Sequence, residues 1–322
     1  MEKNEMQKRM NKMKIDGRII NVSKADKIIF PVTMITKWDL IQYYSKISPY
    51  MLSYMKNRPL ALQRFPEGIQ KEGFYQKNAS DYYPDWIKTF RVKKEGGWVD
   101  HVLCNDKETL IYLVNQGVIT FHLWLSTTDK LRFPDKLVFD LDPTEEDFDK
   151  VIKGAQVLKR VLENDLGFKT YVMTTGSKGL HIIAPLIPNQ DYDEVHDFAK
   201  KVANYIVIKH PSEFTVTIKK DQRKGRLFID YLRNSYAQLV VAPFSVRALE
   251  GAPVATPISW QELKEGKIST SKAFNIHSVF KRLEQKDHPW KGFNTHTKSI
   301  NDPKSKLEAL INAQKSTSTH DN

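Results

Sequence analysis

Residues 137–143, Leu-Val-Phe-Asp-Leu-Asp-Pro, set the strongest constraint on what this chain can fold into. Apolar and β-branched residues ending at a proline are the pattern of a buried strand that stops abruptly, and strand side chains alternate faces. Leu137, Phe139 and Leu141 therefore share one face, and Val138, Asp140 and Asp142 share the other. At about 3.3 Å of rise per residue the two aspartates stand about 6–7 Å apart at Cα. Carboxylates that close on an apolar strand are costly unless a cation lies between them. A divalent ion answers that need, because Mg²⁺ and Mn²⁺ prefer carboxylate oxygens and tolerate retained waters. A solvated strand end whose aspartates cap the next helix is the other reading, and the local sequence leaves both open.

The chain on either side supplies context. Thr36 has the character of an N-cap for a helix through Leu40, Ile41, Tyr44 and Ile47, with Lys27 and Lys37 near the ends of this unit. Residues 58–98 interleave aromatics with cations, including Arg64, Phe74, Tyr75 and Lys77. Rings stack on bases while cations neutralise phosphates, so the mixture suits a nucleic-acid groove; core packing is the alternative for most of the rings. Phe74 and Tyr75 are set apart, since consecutive rings cannot both face one core. Residues 118–125 form a strand carrying His122, and 144–166 give the clearest amphipathic helix, with Thr144 and Asp147 as its capping residues and Gly167 as its stop.

A strand near 169–173 then leads into Thr-Thr-Gly-Ser-Lys-Gly-Leu-His at 174–181. Two glycines, hydroxyls and a lysine in a turn can direct backbone N–H groups and one cation at phosphate oxygens, although an ordinary hairpin turn has a similar composition. A second amphipathic helix occupies 191–208, a basic loop follows it, and 227–231 read as a strand with Asp230 embedded among apolar residues. One aspartate pair can cap a helix. Three aspartates on strands point to a metal-bound active site.

A net charge of +12 points to a polyanionic partner such as nucleic acid or an anionic membrane, with a solvated basic surface as the alternative. No apolar run reaches the 18 or so residues of a membrane span, and the N-terminus lacks the apolar core of a leader, so a cytoplasmic protein is expected. The single cysteine, Cys104, excludes an intrachain disulfide and a thiolate zinc site.

Four motifs in order, Leu-Val-Phe-Asp-Leu-Asp-Pro, Gly-Ser-Lys-Gly-Leu-His, Phe-Ile-Asp-Tyr-Leu-Arg-Asn and Ala-Pro-Phe-Ser-Val-Arg, closely resemble the polymerase domain of bacterial ligase D, a member of the archaeo-eukaryotic primase superfamily that serves non-homologous end joining. The resemblance implies an α/β (α+β) fold, a split RRM-like catalytic core with an associated N-terminal α/β module. It implies that Asp140, Asp142 and Asp230 are catalytic and hold two Mn²⁺ or Mg²⁺ ions. It places Thr175, Ser177, Lys178, His181, His122, Arg223 and Arg247 around the nucleotide, with Thr175 standing where the family usually has serine. Lys27 and Lys37 match a pair that grips a 5′-phosphate, and Phe74 and Tyr75 match two aromatics that pack against template and nucleotide. Arg64 and Lys77 complete the expected DNA-binding set.

The expected organisation is a basic flexible arm at 1–14, a catalytic domain at 15–294 divided near 130, and a mobile polar tail at 295–322 with one short helix at 306–313. The expected partners are DNA with 5′-phosphorylated ends or gaps, NTPs or dNTPs, Ku, and a separate DNA ligase acting in trans, at the bacterial nucleoid. A metal-dependent nuclease and a non-catalytic nucleic-acid scaffold are the competing readings.

Overall fold

The computed structural model describes residues 12–143, 147–285 and 288–318. The chain divides into two compact units. The first takes the chain up to Asp129 together with Leu239–Thr256 and Phe274–Gln285; the second takes Lys130–Gln238, Pro257–Ala273 and the chain from Lys286 onward.

In the first unit, helix α1 (Lys37–Met55) starts where Thr36 and Asp39 cap one another in a reciprocal capping box. Leu40, Ile41, Tyr44, Ile47, Met51 and Met55 bury its inner face, so the two methionines carry it a further two turns past Ile47. Strands β1 (Leu60–Arg64), β2 (Phe74–Gln76) and β3 (Val118–Leu123) form an antiparallel sheet with Val240–Val241, in the order Val240–Val241, β3, β1, β2. Helix α2 (Lys107–Asn115), capped by Asp106, runs into β3. Lys12–Ile15 pairs with Arg18–Asn21 in a hairpin, so the expected arm gives way to a strand before residue 15; residues 1–11 lie outside the described part.

The second unit carries the aspartates. Its strands are β4 (Lys136–Asp142), β5 (Tyr171–Thr174), β6 (Leu180–Pro185) and β7 (Leu227–Asp230), in the sheet order Phe214–Thr215, β7, β4, β6, β5, Thr256–Ile258. Both β4 and β5 run antiparallel to β6, so they are parallel to each other with one strand between them, and helix α3 (Phe148–Arg160) makes the crossover. By the same logic β6 and β7 flank β4, with helix α4 (Tyr192–Lys209) as their crossover. Two interlocked split β-α-β units give the β-α-β-β-α-β order of the RRM-like fold, as the motifs implied.

Helix α3 begins later than expected, at Phe148, because Asp147 is its N-cap; Thr144 lies outside the described residues. Beyond Arg160 the helix widens into a π turn, Val161–Asp165. It lies on the Leu141 side of the sheet, close enough that a Cβ on Gly154 would meet Leu227 Cδ2 at 2.5 Å. The hydrophobic row of β4 thus faces the helix, which leaves Asp140 and Asp142 on the opposite face.

The polar end is more ordered than expected, and its helix is longer than the one read at 306–313. Lys298 N donates to Pro185 O and Ile187 N donates to Lys298 O, and helix Asn301–Ser318 follows, packed against α4. Two apolar anchors, Ile300 and Leu307, both buried, hold this polar stretch down. Among the described residues no helix is long and apolar enough to cross a membrane.

Candidate active site

Strand register builds the site. Asp140 on β4 stands opposite Asp230 on β7 and opposite His181 on β6. Directly opposed residues of antiparallel strands project to the same side with Cβ atoms about 4.5–5.5 Å apart. Three polar side chains therefore form a row across three strands, with Asp142 two residues further along the same face. All three of the row are buried: Asp140 is 7% exposed, Asp230 8% and His181 3%.

The electrostatics are those of a carboxylate pair held out of water. Burial, and then the charge of Asp140, raise the Asp230 carboxyl above its usual range. Arg233 is the cation that keeps the pair tolerable: its Nε lies 3.4 Å from Asp140 Oδ2 and 3.5 Å from Asp230 Oδ2. Burial works against the Arg233 charge, and Asp140 and Asp230 more than reverse that, so its pKa is raised. His181 Nε2 lies 3.5 Å from Asp140 Oδ1, while its buried Nδ1 has no hydrogen-bond partner among the described residues. Arg233 carried no assigned role in the sequence; the signal was its place three residues after Asp230, in the helical turn Leu232–Asn234.

Asn234 fixes this geometry. Its amide donates to Val138 O at 2.7 Å and accepts from Val138 N at 2.8 Å, which continues the β7 ladder by one side chain after the strand has ended. A third bond runs to Tyr231 O. Asn234→Ala is expected to leave both Val138 backbone groups unsatisfied and to cost about 2–4 kcal/mol, read as a lower urea midpoint.

The turn between β5 and β6 is closed by Thr175, whose N–H donates to Gly179 O while its Oγ1 accepts from Gly179 N at 3.1 Å. This hydroxyl organises the turn from within, and Ser177 and Lys178 stand toward solvent. Gly179 lies against the aspartate strand, since a Cβ there would fall 1.8 Å from Leu141 O and 2.9 Å from Asp142 Oδ1. Arg223 is buried: its guanidinium donates to Thr217 O and Ile218 O and stacks 4.2 Å from the Phe228 ring.

The remaining candidates belong to the first unit. Phe74 and Tyr75 lie on the edge strand β2, both exposed, and the Tyr75 ring is 5.4 Å from that of His122. Lys77 is exposed, and Arg247 is half-buried. Arg64, expected to bind DNA, is buried, and it donates to Gln116 O, Gln76 Oε1 and the Tyr82 hydroxyl. Lys27 donates to Pro66 O and pairs with Glu67. Lys37 is buried among the neutral oxygens of Ser23 and Asn115, and burial, followed by Lys27 and Lys24, pushes its pKa down to about 8.

Hard oxygen donors, a raised carboxyl and an orphaned imidazole nitrogen suit a divalent cation. Among the described residues no three histidine, cysteine or carboxylate side chains form a closed coordination group.

The LigD primase-polymerase domain family matches residues 36–290. The bifunctional non-homologous end joining protein LigD of Bacillus subtilis is 34% identical over 276 residues, which is 85% of this chain and 44% of that protein. The multifunctional LigD of Pseudomonas aeruginosa is 32% identical over 273 residues, 84% of this chain and 32% of that protein. This chain thus spans less than half the length of these relatives. The polymerase domain from Mycobacterium tuberculosis ligase D, solved in complex with DNA, superposes with a TM-score of 0.79 at 26% identity, covering 86% of this chain and 99% of that one.

Proposed function

The chain belongs to the LigD primase-polymerase domain family, and from that premise we propose that it is a template-directed nucleotidyltransferase that extends primers and fills short gaps at DNA ends, favouring ribonucleotides, in non-homologous end joining. The observation that carries this reading is the pairing of Asp140 with Asp230 across β4 and β7, beside the Thr175–Gly179 turn. A hydrolase needs clustered carboxylates but does not need a triphosphate turn.

Asp140, Asp142 and Asp230 are the residues that would hold two Mn²⁺ or Mg²⁺ ions, which when bound would lower the pKa of a primer 3′-hydroxyl and neutralise triphosphate and leaving-group oxygens. The protein's own groups do the rest. Asp140 and Asp230 present acceptor oxygens in a dry row, Arg233 balances their charge, and the turn N–H groups with Ser177 and Lys178 bind phosphate oxygens. His181 orients within the row beside Asp140. His122, Arg223 and Arg247 enter the nucleotide set through the resemblance, as do Phe74 and Tyr75 for stacking and Lys77 for the backbone. Ku and a separate ligase, at the nucleoid in the cytoplasm, complete the reading.

Lys27 and Lys37 are proposed to grip the 5′-phosphate of the downstream strand. Lys37 sheds its proton through about pH 8, so the preference for 5′-phosphorylated over 5′-hydroxyl ends is expected to fall as the pH rises past that value. Its folded pKa lies below the unfolded one, so burial of this lysine costs stability at low pH and the cost is relieved as the pH rises. Lys27→Ala combined with Lys37→Ala is expected to erase the preference at neutral pH, measured by anisotropy on the two kinds of gapped duplex. Equal losses on both would count against the role.

A further inference from the structure

A cavity of about 180 Å³ opens in the second unit, walled on one side by Ser177 and Lys178 of the turn and on the other by Ser269, Thr270, Ser271 and Lys272. This second wall is a loop that the four motifs do not include. It is anchored from below by Ile268 and Ser271, both buried. Its bend is set by Thr270, whose Oγ1 accepts from Lys272 N at 3.3 Å and whose carbonyl accepts from Ala273 N. Lys272 is thereby held with its side chain exposed.

The lining chemistry selects the ligand. Two ammonium groups come from two separate loops, with four hydroxyls between them. The start of α3 borders the same cavity through Asp147 and Phe148 and adds the positive end of a helix dipole. Asp147 is the one carboxylate among the described lining residues, and it is already engaged, accepting from Lys150 N at 3.0 Å and pairing with Lys150 Nζ at 3.5 Å. Such a surround is positive, rich in donors and poor in stacking faces, which suits a phosphate group and suits a base or sugar poorly. Because Ser177 and Lys178 belong to both the turn and the cavity, its phosphate would be continuous with the one that the turn holds.

We propose that this cavity receives the terminal phosphates of the incoming nucleotide and then the departing pyrophosphate, with Lys272 as a binding residue that the family motifs do not contain. The proposal rests on the nucleotidyl-transfer reading above and deepens it. Lys272→Ala in the full chain is expected to raise the KM for NTP about tenfold, the size of one lost charge-assisted contact, and to weaken pyrophosphate product inhibition by a similar factor. DNA affinity stays unchanged, and Lys272→Arg restores both values. Unchanged KM and unchanged inhibition would overturn the proposal, as would a loss of DNA affinity with pyrophosphate inhibition intact, which would assign the cavity to a nucleic-acid backbone. Calorimetric titration with inorganic tripolyphosphate separates the two levels of inference. If the wild-type chain extends no primer but binds tripolyphosphate in a Lys272-dependent way, the subsite stands and the polymerase reading fails.

Discussion

Asp140→Ala is expected to lower primer extension by about a thousandfold or more while leaving duplex affinity within about twofold of the parent. Asp140 is the middle member of the row, facing Asp230 on one side and His181 on the other. Its loss leaves the remaining acceptors divided between strands that no longer share a central carboxylate. In the proposed function DNA affinity is assigned to basic residues elsewhere, so the two readouts are expected to separate. Near-normal extension by Asp140→Ala would remove the site from this face of the sheet. A companion change tests the electrostatics: burial and Asp140 raise the Asp230 carboxyl, so the stability tied to its neutral form is present at low pH and lost as the pH rises through the raised value. Asp230→Asn keeps the acceptor that Leu232 N bonds at 2.8 Å. It is therefore expected to inactivate the protein and yet raise its metal-free melting temperature at neutral pH, by about 1–3 °C.

Gly179→Ala is expected to damage fold and chemistry together. An added Cβ would lie 1.8 Å from the Leu141 carbonyl oxygen and 2.8 Å from its carbon, and backbone cannot rotate away as a side-chain tip can. Strand β6 must then move off the end of β4, which breaks the Thr175–Gly179 closure and shifts Asp142. A cost of about 2–4 kcal/mol with a sharp rise in the KM for nucleotide is expected. Gly225→Ala is the matched control, because its φ of +74° is left-handed but the space around it is open; it should cost only about 1–2 kcal/mol. Urea unfolding of the two variants side by side checks the contrast, and equal costs would show that the close approach to β4 is not the constraint.

The parts of this protein that were legible in the sequence are those whose signal is local. Asp140, Asp142 and Asp230 stood out because carboxylates on apolar strands violate the burial rule, and α4 announced itself through its 3.6 period; its Asp191–Glu194 capping box is a structural finding. What the residues could not show is pairing. That Asp140 faces Asp230, and not Phe228, depends on a register set by strands 90 residues apart, and the Asn234 clasp on Val138 that holds this register involves a side chain with no pattern of its own. Arg233 as the bridging cation follows from that same register. Arg64 reads as a surface cation until its partners are known, and Lys37 lies in a helix's first turn, where exposure is the default. The C-terminal helix was legible only over 306–313, short of its observed span, because Ile300 and Leu307 are too few apolar residues to mark a period. The Ser269–Lys272 loop has polar, turn-forming composition, and only its neighbours distinguish it from any other connection.

The most direct test is single-nucleotide extension on a gapped duplex in Mn²⁺, with NTP against dNTP and a 5′-phosphate against a 5′-hydroxyl, following both strand length and pyrophosphate. The template-complementary ribonucleotide should be added with stoichiometric pyrophosphate release, faster on the 5′-phosphorylated gap. Strand shortening without pyrophosphate, or tight binding with no incorporation from either nucleotide, would contradict the assignment of the Asp140–Asp142–Asp230 face to nucleotidyl transfer.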